Sequence, residues 1–215
     1  NAGLSGELLY RKYGDESKPT FHLEPFVFAN YRLTSRWSAD MLFSHALSPN
    51  AFSSYIEAPV FTNYYSLIQG KAQLNNTTTN MFSNTWKYND VIRGLFGNLG
   101  LSYSRTSNLP LYESVFEDGF YKSKATDHTS NNSTTSISGG IGKSIGWGKA
   151  SVELNASASD NNYQLLIAKE VVDFTRRDLS MGITIAYHPW EVFSIEHKSS
   201  YNTSARKGNN HTLFN

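Results

Sequence analysis

Cysteine is absent from this 215-residue chain. That excludes a disulfide framework, a thiolate zinc site and a cysteine nucleophile. No run of about 18 consecutive apolar residues occurs, which excludes a transmembrane helix. Neither sign of charge dominates: 19 Lys and Arg against 18 Asp and Glu leave a net +1, dispersed along the chain. No basic patch points to nucleic acid, and no acidic tail points to a cationic partner. The opening Asn1-Ala2-Gly3 has neither the charged nor the apolar region of a secretory leader, so a cleaved leader or an internal fragment is expected. Helical periodicity is scarce as well.

What the chain does have is aromatic rings on a polar average. There are 13 Tyr, 13 Phe and 4 Trp, while the mean hydropathy is −0.43. A transmembrane β-barrel combines the two, because half of each strand faces a wet lumen and its aromatics collect where lipid meets water.

Period-two alternation recurs from end to end. Leu95, Gly97, Leu99, Leu101 and Tyr103 share one face; Phe96, Asn98, Gly100, Ser102 and Ser104 share the other. The same split separates Leu179, Met181, Ile183, Ile185 and Tyr187 from Ser180, Gly182, Thr184 and Ala186. Trp37, Ala39, Met41 and Phe43 likewise alternate with Ser38, Asp40 and Ser44. Roughly eight or nine strands are expected, several of them about ten residues long, enough for a tilted bilayer crossing.

The connections carry more information than the strands. Tight turns are expected at Thr34-Ser35-Arg36, Asn89-Asp90, Gly146-Trp147-Gly148 and His188-Pro189-Trp190-Glu191. Between them lie long polar stretches at about 48–76, 106–130 and 160–170, whose Asn, Ser, Thr, Asp, Gly and Pro content argues for loops. Outer-membrane barrels alternate in this way, with short periplasmic turns and long extracellular loops. The expected fold is therefore all-β: an antiparallel up-and-down meander forming part of a transmembrane barrel, with residues 1–215 as one segment. A soluble all-β binding or adhesion module of the cell envelope stays open beside it, because a sandwich buries its apolar faces against each other.

Aromatics gather beside the tight turns: Trp37, Trp86, Tyr88, Trp147, Trp190 and Phe193. An amphipathic ring is stable at headgroup level, so these six are expected at the membrane interface; the competing reading is that they plug the end of a sandwich. In the long stretches, Tyr55, Phe61, Tyr64, Tyr65, Tyr112, Phe116 and Phe120 are candidates to stack on a solute. Alternatively, they pack the loops on one another.

The segments Arg93–Ser104 after Asn89-Asp90, Pro189–Glu196, and Leu23–Leu33 followed by Arg36-Trp37-Ser38-Ala39 resemble barrel strands of Bacteroidetes TonB-dependent receptors. In that family a Tyr-x-Leu, a short turn and Trp-Ser mark a periplasmic hairpin, followed by a loop rich in Tyr and Asn such as Val60–Leu67. The resemblance implies the carboxy-terminal barrel region of a bacterial outer-membrane protein that imports a nutrient. It also implies contact with lipid and, through the full-length protein, with an inner-membrane energy-coupling complex and a surface lipoprotein. No plug domain and no energy-coupling motif are recognisable. A receptor of this kind needs about 22 strands, and the ending Leu213-Phe214-Asn215 places Phe one residue early, so a fragment of a larger barrel is expected, with a truncated relative or a small barrel in its own right left open beside it.

Catalytic chemistry has no foothold. The six histidines lack metal-ligand spacing, and no nucleophile elbow, P-loop, dinucleotide fingerprint or zincin helix occurs. Asp160-Asn161-Asn162 and Glu117-Asp118-Gly119 are expected as turns rather than calcium loops. Arg176-Arg177-Asp178 is expected to open a strand. Gly139-Gly140-Ile141-Gly142 lies inside an alternating strand, where glycine marks close approach. No enzyme, cofactor or metal is expected.

Overall fold

A computed structural model describes residues 2–13, 16–49, 56–71, 76–146, 149–167, 169–190, 193–208 and 211–214. They form twelve strands in one sheet. The strands are β1 (Ala2–Tyr13), β2 (Glu16–Arg32), β3 (Trp37–Pro49), β4 (Val60–Asn63), β5 (Ser66–Gln69), β6 (Asn76–Asp90), β7 (Leu95–Glu117), β8 (Phe120–Ile145), β9 (Ala150–Ile167), β10 (Glu170–Trp190), β11 (Phe193–Gly208) and β12 (His211–Phe214). Ten of them follow the order β1-β2-β3-β6-β7-β8-β9-β10-β11-β12, an antiparallel meander; β4 and β5 leave that path as a hairpin. β5 lies parallel to β8, Ser66 opposite Tyr121.

Turn chemistry fixes the hairpins. The Thr34 hydroxyl accepts hydrogen bonds from the amides of Arg36 and Trp37 at 3.2 and 3.0 Å, which closes the β2–β3 connection where the sequence placed it. The β6–β7 turn falls two residues later than expected: Asn89 and Asp90 finish β6, and residues 91–94 make the bend. Gly94 is left-handed there (φ 60°), and a Cβ would stand 2.5 Å from the Ser144 carbonyl oxygen. His188-Pro189-Trp190 likewise extend β10 rather than turn. Trp147, Gly148 and Glu191, parts of two expected turns, lie outside the described residues.

Two of the expected long loops are strands. β7 runs 23 residues and β8 runs 26, meeting in a two-residue turn at Asp118 and Gly119 with φ of 52° and 81°. That is the left-handed pair a tight hairpin needs. β9 and β10 similarly continue through 160–167 and 170–178, so Asp160-Asn161-Asn162 is strand instead of turn and Arg176-Arg177-Asp178 lies mid-strand. Polar Asn, Ser and Thr do not break these strands because the neighbouring strands supply the ladder hydrogen bonds that a local turn would otherwise provide. These extensions lengthen strands without adding any; the twelve strands, against eight or nine expected, include the short β4, β5 and β12, which the alternation did not mark. The 48–76 stretch holds β4 and β5.

Register aligns the alternation across the sheet. Tyr88, Gly97, Ile141, Leu154 and Ile183 are successive cross-strand partners on one face. Asn98, Gly140, Asn155 and Gly182 do the same on the other. Burial is inverted relative to a water-soluble sheet: Ile141 is 55% and Leu154 48% exposed, and the buried apolar side chains among the described residues are only Leu111 and Ala125.

The tight-turn rim steps along the sheet. Trp37 at the first turn pairs with Tyr88, two residues short of the next turn pair Asp90–Leu95. Leu95 pairs with Lys143, two short of Ile145–Ala150, and Ala150 pairs with Tyr187, three short of Trp190–Phe193. Two or three residues per two strands, at ~3.3 Å per residue and ~4.8 Å per strand, incline the strands by about 35–45° to the rim normal.

Candidate functional site

The polar face is a ladder of hydrogen-bonded short side chains. Asp40 on β3 accepts from Asn30 on β2 and from Lys87 Nζ on β6, the latter at 2.7 Å. Ser102 and Ser136 bond across β7 and β8 at 2.7 Å. Thr134 donates to Asn161 at 2.8 Å, Asn161 reaches Asp178 at 3.3 Å, and Arg176 Nε holds Asp178 at 2.9 Å. Two of the aromatics on this face lie over glycine: a Cβ on Gly142 would fall 2.0 Å from the Phe96 ring, and one on Gly208 2.7 Å from Phe174. Such a face offers solutes small hydroxyls and paired charges.

Far from the tight turns, the β4–β5 hairpin, the extensions of β7 and β8 and the β9–β10 turn enclose a cleft of about 760 Å³. Its walls carry Lys71, Lys124 and Lys169 against Glu57, Glu113 and Asp127, with His128 beside them. Lys71 and Asp127 form an ion pair. The hairpin is anchored by Gly70 N–H to the Ile56 carbonyl at 2.7 Å and by Gln69 to the Glu57 carbonyl at 2.8 Å. Lys169 sits in left-handed backbone, φ 69°. The mixed charge suits a polar, multiply hydrogen-bonding solute better than a simple ion.

The candidate ligand aromatics are placed differently. Phe61 meets Phe120 edge-on at 5.8 Å, and Phe116 tilts against Tyr121 at 4.8 Å. These rings hold the β4–β5 hairpin and the β7–β8 tip together, helped by the Tyr121 amide donating to the Tyr65 carbonyl at 2.8 Å. Tyr64 and Tyr65 form the hairpin tip, Tyr64 almost fully exposed. Tyr112 is half-buried, and burial pushes its hydroxyl above the ordinary tyrosine range. None of these six is among the cleft walls, and Tyr55 lies outside the described residues.

Near the tight turns, Trp37 packs on Tyr88 at 4.9 Å and Trp190 on Phe193 at 6.1 Å, while Trp86 stands on the same face as Tyr88. All three described tryptophans are exposed; Trp147 lies outside the described residues. Between the first two turns sits a group the sequence reading missed. Asp90, its side chain 1% exposed, accepts Arg36 Nε at 3.1 Å and the Arg93 amide at 3.1 Å. That amide hydrogen bond, aided by the two guanidiniums, holds the carboxyl below its ordinary range. The Asp90-x-x-Arg93-Gly94 turn hinted at the local bond, but nothing local signalled Arg36, which only register brings there.

One comparison bears on this arrangement. The fold is similar to that of a siderophore receptor. That protein is PirA from Pseudomonas aeruginosa, matched with a TM-score of 0.51 at 10% identity over 96% of this chain. The match spans 45% of PirA, so this chain covers about half of it. No protein-family model and no curated protein matches the chain. The likeness supports the antiparallel receptor-barrel fold expected from the alternation; β1 and β12, at the ends of the path, leave the described sheet open rather than closed.

Proposed function

We propose that the chain forms part of the wall of a bacterial outer-membrane barrel used to take up a nutrient solute, and that it serves as a conduit instead of a catalyst. The inverted burial carries this reading. An apolar face continuous over neighbouring strands exceeds what a monomer leaves in water, and a soluble sandwich would cover it with a second sheet. Among the described residues every strand belongs to one sheet. Lipid covers such a face at no cost, and the 35–45° inclination is the one a membrane barrel requires. The apolar stretch from Leu95 to Tyr103 also fits the 9–11 residues of a tilted crossing.

On this reading the tight turns are periplasmic, with Trp37, Trp86, Tyr88, Trp190 and Phe193 at the headgroups. The extended β7–β8 arm and its cleft stand outside, where the solute is first held. The similarity to a siderophore receptor supports uptake as the class of activity. Coupling to an inner-membrane energy complex and capping by a surface lipoprotein would run through the full-length protein.

Brominated phospholipid provides the test. The chain folded into such vesicles should lose most of its tryptophan emission, and it should require detergent to remain monodisperse. A chain monodisperse in plain buffer with unquenched tryptophans would instead be a soluble binding module.

A further inference from the structure

On the apolar face at the tight-turn rim lies a groove of about 510 Å³. Its floor is Gly97, whose missing side chain leaves a gap between its cross-strand partners Tyr88 and Ile141. Trp37 and Tyr88 wall one side, Ile141 the other, and Leu95 and Leu99 mark the ends, about 13 Å apart along the strand. The mouth at Leu95 is cationic. Leu95 pairs with Asp90 on β6 and with Lys143 on β8, so both share its face. Arg36 and Arg93 converge on one Asp90 oxygen at 3.1 and 3.9 Å, and Lys143 Nζ rests on the Arg93 carbonyl. One carboxylate against three cations leaves an excess of +2. The Arg93 side chain is 72% and the Arg36 side chain 47% exposed, so both can reach a further anion.

We infer that this groove binds one anionic phospholipid, an acyl chain lying along Gly97 and the phosphate meeting Arg93, Arg36 and Lys143. The inference rests on the membrane reading above. Three observations select the occupant: the walls are apolar rings and aliphatics, the cations stand only at the rim end, and that end lies level with the Trp37–Tyr88 pair, where headgroups would be. A soluble anion gains nothing from the groove, and a zwitterionic lipid brings an ammonium that opposes the cations its phosphate meets.

The experiment is native mass spectrometry of the full chain, released from nanodiscs of equimolar phosphatidylglycerol and phosphatidylethanolamine. One phosphatidylglycerol should be retained with about tenfold preference, the order expected for one to two uncompensated cations near a lipid surface. The double variant Arg93→Gln/Lys143→Gln should lose the preference, and Gly97→Leu, which fills the floor, should lose the bound lipid. Lys122→Gln at the far end should change neither. Equal retention of the two lipids by the unaltered chain overturns the inference, as does displacement of the retained lipid by millimolar inorganic phosphate. If the double variant does not fold, as judged by its β circular dichroism, Gly97→Leu decides alone: a preference unchanged by it overturns the site. A chain that embeds in lipid but shows no selectivity loses this inference only, whereas unquenched tryptophans in brominated vesicles would remove the membrane reading itself.

Discussion

Ile141 and Leu111 are apolar strand residues on neighbouring strands, yet the first is 55% exposed and the second 5%. They belong to two regions with opposite burial. Near the tight turns the apolar side chains point outward and hydroxyls and amides pair across the other face. Beyond Thr106, Leu111 and Ala125 are buried, Phe61 and Phe120 pack edge to face, and the strands pass two register shifts, at Thr106/Leu109 and Pro110/Tyr112. On the proposed reading one antiparallel ladder serves two solvents: lipid would cover the exposed apolar face of the first region, while the second makes a small core of its own around Leu111 and Ala125.

The sharpest way to break that comparison is a charge on each side of it. Ile141→Arg should cost about 2–4 kcal/mol of folding free energy in a bilayer, the penalty for arginine near a barrel's lipid midplane. Val115→Arg, also an exposed apolar position but on the arm, should change stability by less than about 0.5 kcal/mol. Urea titration of vesicle-folded protein measures both, and equal costs would mean that the two faces meet the same solvent.

The core of the arm gives the reverse contrast. Leu111→Ala should remove about 2–3 kcal/mol, because a buried leucine loses its contacts and leaves a cavity. The loss should be local. Amide exchange in 109–128 should accelerate while 95–103 stays protected, and uniform acceleration would show that arm and sheet open as one unit.

Gly142 tests the polar face. It lies beneath Phe96 with no room for a Cβ, so Gly142→Ala must displace the ring, at about 1–3 kcal/mol. Gly119 at the arm's tip has open space around it but φ 81°, so Gly119→Ala should cost only the conformational penalty, about 1 kcal/mol. Comparable unfolding midpoints for the two variants would mean that the Phe96–Gly142 contact is looser than its geometry.

The sequence made the tilted, two-faced part of this fold legible because period-two alternation is local and the register preserves it: Leu99, Leu101 and Tyr103 share a face as read. The long polar stretches were misread because Asn, Ser, Thr and Asp favour turns only when nothing pairs with them. At Asp160-Asn161-Asn162, β8 and β10 supply partners on both sides, Thr135 and Arg177 flanking Asp160, and a residue's local preference yields to its neighbours in the ladder. The aromatics of 48–76 and 106–130 were visible as candidates, but not that Phe61 would spend its ring on Phe120. The cleft was invisible for the same reason. Lys71, Glu113, Asp127 and Lys169 come from four separate places in the chain, and it takes the β5–β8, β7–β8 and β8–β9 pairings together to assemble them.

The smallest expected effect lies at the seam between the first two tight turns. Asp90 is ionised against Arg36 and the Arg93 amide, and its carboxyl is held below its ordinary range, chiefly by that amide. A carboxyl depressed on folding contributes stability that is fully present above its unfolded value and lost as pH falls through its folded value. Acidification through the ordinary aspartate range should therefore leave this tie intact, and release should come only at lower pH. The Arg93 amide shift reports it directly: its midpoint in the folded chain should lie below that of the same aspartate in a peptide of residues 86–98. A midpoint at or above the peptide's would mean that burial outweighs the hydrogen bonds at Asp90. Asp90→Asn should accordingly loosen the turn in amide exchange while leaving the Ile141 and Leu111 contrasts intact, because the tie joins two turns through Arg36 and Arg93 rather than through either of those residues.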